Sequence, residues 1–215
     1  MLPSTSQFPA PSAARPGLRR LLRADLPIDT VDLARYLVGK VIVHETAKGR
    51  LSGRIVETEA YPIDDPAGHA FRGRTPRNAP LFLERGHAYV YLIYGVSFLL
   101  NVSSEKVGVG AGVLLRAIEP LARFPVADGA RPIRPCPEIG RGPGRLTRMM
   151  GIDLRQNGVD LCSLHSSLWL AAPVRKTGPI GKSVRIGLTR AADRLLRFYE
   201  RDNECVSGPR RLLTE

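Results

Sequence analysis

Two apolar runs of strand composition, YVYLIY (89–94) and VSFLLNV (96–102), meet around Gly95. β-branched and aromatic residues fill both, and glycine supplies the positive φ of a tight turn, so the pattern predicts an antiparallel hairpin. A lone hairpin is not stable in water and needs further strands or a helix against one face. Candidates stand on both sides of it. VIVHE (41–45) and LSGRIVETEAY (51–61), joined by the turn TAKGR (46–50), read as a second hairpin, and VLLRAIEPL (113–121) as a buried strand. A helix is expected before them. Asp29 or Thr30 can cap it, Val31, Ala34 and Leu37 share one face, and Gly39 can end it. Downstream, IGRGPGRLTRMMGI (139–152) pairs a Gly-rich turn with a short helix, and WLAAPV (169–174) reads as a strand. SVRIGLTRAADRLLRFYE (183–200) mixes strand and helix patterns. At 215 residues the chain fits one domain with a substantial core. Residues 1–24 hold no acidic residue and are rich in Pro, Ser and Ala. They read as a disordered basic tail ahead of a domain at 25–215, with an organellar presequence as the other compositional reading.

The run at 51–61 carries two carboxylates, Glu57 and Glu59, inside a strand pattern. Alternation puts Ile55, Glu57, Glu59 and Tyr61 on one face and Val56, Thr58 and Ala60 on the other. The pattern leaves open which face meets the core. Four of the six tyrosines, Tyr61, Tyr89, Tyr91 and Tyr94, fall on the same elements. Arg116 interrupts the apolar run at 113–121. A basic residue there is usually paired, and Glu59 is a natural partner. A Pro- and Gly-rich loop at 62–80 holds His69, Arg72, Arg74 and Arg77. Carboxylates framed by aromatics and cations suit a site that stacks a flat ring and does chemistry beside it.

Net charge narrows the partner. The chain carries +12, with 32 basic residues against 20 acidic. That balance favours a polyanion, nucleic acid first and an anionic membrane second. Tyr94 at a hairpin tip is then a candidate wedge between stacked bases. Arg145 and Arg148 follow a Gly-rich turn whose amides suit a phosphate. The three cysteines, Cys136, Cys162 and Cys205, are far apart and show no metal-ligand spacing; a reduced cytosol fits them, and no metal or cofactor is expected. No apolar run approaches membrane-spanning length. TGPIGKS (177–183) has Lys176 where a phosphate-binding loop needs Gly, and GVGAG (108–112) reads as a flexible loop.

The order GRIVETEAY, a loop histidine, TPRN, YVYLIYG, the Asn of LLNV and LLRAIEP resembles the alkyladenine (3-methyladenine) DNA glycosylase family. LARYLVGK (33–40), GPGRL (142–146), RIGLTRAAD (185–193) and LRFY (196–199) extend the likeness over roughly residues 25 to 207. The resemblance implies an α+β fold: a single mixed domain around a curved, largely antiparallel β-sheet, with a β-hairpin that inserts into DNA. It implies a monofunctional glycosylase of base excision repair that flips damaged purines out of double-stranded DNA, uses no cofactor and acts as a monomer. A bacterial member would act in the cytoplasm at the nucleoid, a eukaryotic one in the nucleus. By the resemblance Glu59 is the general base and Arg116 lies near the base and the attacking water. Tyr61, His69 and Tyr91 stack on the flipped base, Asn101 disfavours guanine's exocyclic amine, and Tyr94 fills the gap left in the helix. Arg74, Arg77 and Arg145 are expected on the DNA backbone.

Two rivals stand beside this reading. A hydrolase of a free sugar or nucleoside would use Glu57 and Glu59 as an acid/base pair, but leaves the charge and the tip tyrosine without a role. A non-catalytic nucleic-acid-binding module would use Arg and Tyr alone, but leaves a carboxylate among the aromatics, where it repels phosphate.

Overall fold

The computed structural model describes residues 18–121 and 137–213. Most of the expected tail, and nearly all of a Pro- and Arg-rich segment at 123–137 whose composition reads as an exposed connection, therefore lie outside the described residues. The last seven residues read as tail, 18–24, do not hang free. Leu21 is fully buried, and the backbone of 19–21 bonds to the strand at 168–171.

The described residues build an α+β domain from one antiparallel sheet and two short α-helices. Helix α1 (Thr30–Leu37) begins at Asp29, whose side chain accepts from the amides of Val31 and Asp32. Those amides have no partner within the helix, so the cap supplies one. Asp29→Ala should cost about 1 kcal/mol, seen as a lower urea midpoint at unchanged slope; an unmoved midpoint would show the cap adds nothing.

The strands are β1 (Val41–Thr46), β2 (Gly49–Tyr61), β3 (Ala88–Ile93), β4 (Ser97–Ser103), β5 (Gly112–Pro120), β6 (Leu168–Ala171), β7 (Ile180–Ser183) and β8 (Arg197–Glu200). Their order is β3-β4-β5-β2-β1-β6, with β8 paired to the later part of β2 and β7 to β8. Both expected hairpins form, β1–β2 and β3–β4. Residues 184–196, where strand and helix patterns mix, form neither. Helix α2 (Pro143–Met150) lies against β4, where Thr147 Oγ1 donates to the Phe98 carbonyl. Leu33, Ala34 and Leu37 of α1 and Leu146, Met149 and Met150 of α2 cover one sheet face together.

The alternation expected along β2 is broken in its middle. The β2–β5 register shifts on both sides of Glu57, and both Val56 and Arg116 are left without a paired residue. A bulge of this kind lets two successive residues face the same way and curls the sheet. Ile55, expected beside Glu57, packs in the main core with Ala60, while Val56 joins a separate cluster with Tyr199 and Val206. Thr58 Oγ1 donates to the Ala34 carbonyl under α1. Glu57, Glu59 and Tyr61 are left on the face away from the helices.

Candidate active site

One cross-strand row organises that face. Glu59 of β2 lies opposite Leu114 of β5, Leu114 opposite Asn101 of β4, and Asn101 opposite Tyr89 of β3. Directly opposed residues share a face, so register alone aligns four residues far apart in the chain. Tyr61 and Tyr91, two positions further along their strands, stand beside the row.

A cavity of about 180 Å³ opens over it, lined by Tyr61, His69, Tyr91 and Asn101 among others. Its walls are close. The His69 and Tyr91 rings meet edge to face at 4.5 Å, and Tyr89 stacks on Tyr91 at 5.3 Å. His69 Nδ1 and the Tyr89 hydroxyl are 2.9 Å apart. Burial, and then Arg77, lowers the His69 pKa, which leaves its ring neutral at physiological pH. Burial raises the Tyr91 pKa to about 12, so its hydroxyl stays protonated. Asn101 Nδ2 donates to the Tyr89 carbonyl.

Glu59 and Arg116 lie beneath the lining, 0% and 7% exposed. Glu59 Oε1 accepts from the Ile186 amide at 2.8 Å and pairs with Arg116 Nη1 at 3.1 Å; Oε2 accepts from the Tyr61 hydroxyl at 2.9 Å. A carboxylate offers about four acceptor positions, so Oε2 keeps capacity for one more donor, such as a water. Burial and the Glu59 charge both push the Tyr61 pKa well up, so Tyr61 remains a hydroxyl donor. Arg116 also places Nε on Glu57, 3.0 Å away. Burial acts to lower its pKa, but Glu59 and Glu57 together outweigh that and hold it raised.

Tyr94 stands at the tip of β3–β4, 89% exposed and off the sheet. Tyr94 and Gly95 both have positive φ, 52° and 70°. That conformation disfavours a side chain, and tyrosine holds it here with no core contact in return. The anticipated backbone arginines differ in setting. Arg74 and Arg145 are exposed. Arg77 is also exposed, yet its guanidinium lies 5.7 Å from the Tyr91 ring and Nη2 donates to the Leu92 carbonyl.

Several site residues have no local signature. Arg185 stacks 4.6 Å from the Tyr61 ring and forms a fully buried pair with Asp65, tying the His69 loop to residues 184–196. Asn78 Nδ2 donates to the carbonyls of His69 and Gly73, closing that loop. GVGAG is not a loose loop. A Cβ on Gly110 would come within 2.4 Å of the Phe82 ring and one on Gly112 within 2.7 Å of Leu81, and both glycines line the cavity. Among the described residues no His, Cys, Asp and Glu group could hold a metal ion, and no helix is long and apolar enough to cross a membrane.

Comparison with known proteins identifies the family. The family model described as methylpurine-DNA glycosylase matches residues 24–204. A protein of Mesorhizobium japonicum named as a 3-methyladenine DNA glycosylase is 56% identical over 192 residues, covering 89% of this chain and 92% of its own. One of Paraburkholderia phytofirmans with the same name is 53% identical over 193 residues, 90% of each chain. A third, from Methanocella arvoryzae, is 42% identical over 187 residues, 83% of this chain and 90% of its own. With the family model spanning residues 24–204 and two relatives of that name matched over 90% or more of their own length, the chain is a DNA N-glycosylase and belongs to the methylpurine-DNA glycosylase family.

Proposed function

We propose that the protein flips a damaged purine from duplex DNA into the cavity and hydrolyses its N-glycosidic bond with a water activated by Glu59, leaving an abasic site. Its substrates are of the 3-methyladenine, 7-methylguanine, hypoxanthine and ethenoadenine class. The observation that carries this reading is the shared face of Glu59, Asn101 and the aromatic walls, with a buried carboxylate paired to Arg116 beneath a cavity lined by flat rings.

Flipping costs a few kcal/mol of stacking and pairing. Tyr61, Tyr91 and His69 return part of it, since stacking on an aromatic is worth roughly 1–3 kcal/mol per base. As the bond breaks, positive charge builds on the sugar; ionised Glu59 lowers the energy of that charge and accepts the water's proton. Arg116, paired with Glu59 at 3.1 Å, holds that carboxylate in place. Asn101, held by the Tyr89 carbonyl, presents a fixed edge to the base. Arg74 and Arg145 are exposed and suited to phosphates, and Arg77 joins them while backing Tyr91. No lysine stands among the site residues, which supports simple hydrolysis over a Schiff-base route.

The test is single-turnover base release from a duplex carrying one alkylated purine or one hypoxanthine. Release supports the reading; tight binding with no release of either base points instead to a binding module.

Tyr94 admits a separate test. Tyr94→Gly removes a left-handed strain of roughly 1–2 kcal/mol, so thermal stability should hold or rise while affinity for damaged duplex and the rate of base release fall. Unchanged affinity and rate would rule out the tip as a wedge.

A further inference from the structure

We propose that Arg197 and Glu57 are positioning residues that keep Glu59 ionised, by balancing the charge of the buried cluster joined through Arg116. The inference rests on Glu59 acting as the base.

Glu57 lies fully buried, two residues from Glu59 on the same sheet face. It accepts from Arg116 Nε at 3.0 Å, Arg197 Nε at 2.6 Å and the Ser207 amide at 2.7 Å. Arg197 is also fully buried. Its Nη1 donates to Ser183 Oγ at 2.8 Å and its Nη2 to the Ser207 carbonyl at 2.7 Å. Arg197 is paired directly opposite Glu59 on β8, yet its guanidinium turns to Glu57. Arg116 bridges the two carboxylates, Nε on one and Nη1 on the other.

The four groups, Glu57, Glu59, Arg116 and Arg197, sum to zero charge. Without Arg197, two buried carboxylates would share one guanidinium. Such a pair favours taking up one proton, which moves between the two sites. Arg116 would also be drawn towards Glu57. A structural ion pair alone would need only Arg197 and Glu57; the bridge through Arg116 is what couples that pair to the base.

The other ionisable groups facing Glu59 do not supply this balance. Tyr61 on β2 and Tyr91 on β3 stay protonated. Arg185, before the Ile186 amide, is neutralised by Asp65, which Arg194 also approaches at 3.9 Å.

The experiment is the pH profile of single-turnover base release for the native protein, Arg197→Gln, and the double variant Glu57→Gln with Arg197→Gln. For Arg197→Gln the acid limb should move up by about one pH unit or more, which at a fixed pH on that limb is about a tenfold loss per unit. The rate should recover at higher pH. The double variant restores neutrality and should return the limb to its native position. A limb unmoved in Arg197→Gln, or a loss equal at every pH that the double variant does not repair, overturns the proposal. If Arg197→Gln does not fold, Glu57→Gln decides: it leaves an excess positive charge, so its limb must move to lower pH, and a limb unmoved or raised overturns the proposal. Failure of the underlying reading looks different, with base release by the native protein absent or retained in full by Glu59→Gln.

Discussion

Glu59→Gln should lower the single-turnover rate of base release by roughly 100- to 10,000-fold, the usual contribution of a positioned general base, while duplex affinity stays close to native. Glutamine keeps the shape and can still accept from the Ile186 amide. What it loses is the negative charge that pairs with Arg116 at the end of a buried ionic cluster, and the ability to take a proton from water. Glu59 is 0% exposed and does not line the cavity, so base and phosphate contacts do not depend on it directly. Affinity and rate should therefore separate. A thermal melt of the variant guards against misfolding, because Arg116 loses one of its two carboxylate partners. Undiminished release would remove Glu59 from the chemistry altogether.

Glu200→Ala should destabilise the fold by about 3–5 kcal/mol at neutral pH, the range for breaking a buried ion pair from one side. Arg54 is fully buried, and its Nη1 and Nη2 reach Glu200 at 2.5 and 2.6 Å. The Arg54 Nε has no partner among the described residues, so the guanidinium depends on this pair and on Glu119 at 3.2 Å. Glu200 also accepts from the Gly178 amide and from Asn203.

Burial alone would push the Glu200 carboxyl up. The hydrogen bonds from Arg54, Gly178 and Asn203 outweigh it and bring the pKa down to about 2. A folded value below the unfolded one means the stabilisation is present above the unfolded value, about 4.3, and is lost as pH falls towards 2. The difference between native and variant unfolding free energies should therefore shrink by about 3 kcal/mol across that window. Chemical denaturation at neutral pH and near pH 3, where about half of that loss is reached, measures it, and a pH-independent difference would show that charge is not the cause.

Both hairpins, α1 with its Asp29 cap, α2, β5 and β6 were legible in the sequence, because each depends on local periodicity, a turn glycine or a capping side chain. The candidate base, the aromatic walls and the tip tyrosine were legible too, because ETEAY, YVYLIYG and LLRAIEP lie on three strands of unmistakable composition, and their likeness to a family supplied roles that composition could not.

Other features had no local trace. Strict alternation assigned Ile55 to the carboxylate face, but a bulge is a property of two strands in register, and β5 is more than fifty residues away along the chain. GVGAG suggests a loose loop because glycine permits flexibility, whereas here the missing Cβ atoms let Phe82 pack on Gly110 and Leu81 on Gly112, two glycines of the cavity wall. Asp65 and Arg185 show nothing in their neighbours to join them, nor do Glu57 and Arg197.

The sequence by itself determined the elements, the basic character and the residues with chemistry to offer. The tertiary structure decided which of them meet. Glu59 becomes a buried partner of Arg116 only when β2, β5 and β8 are in register, and the energy of a buried charge depends on every partner around it, however distant in the chain.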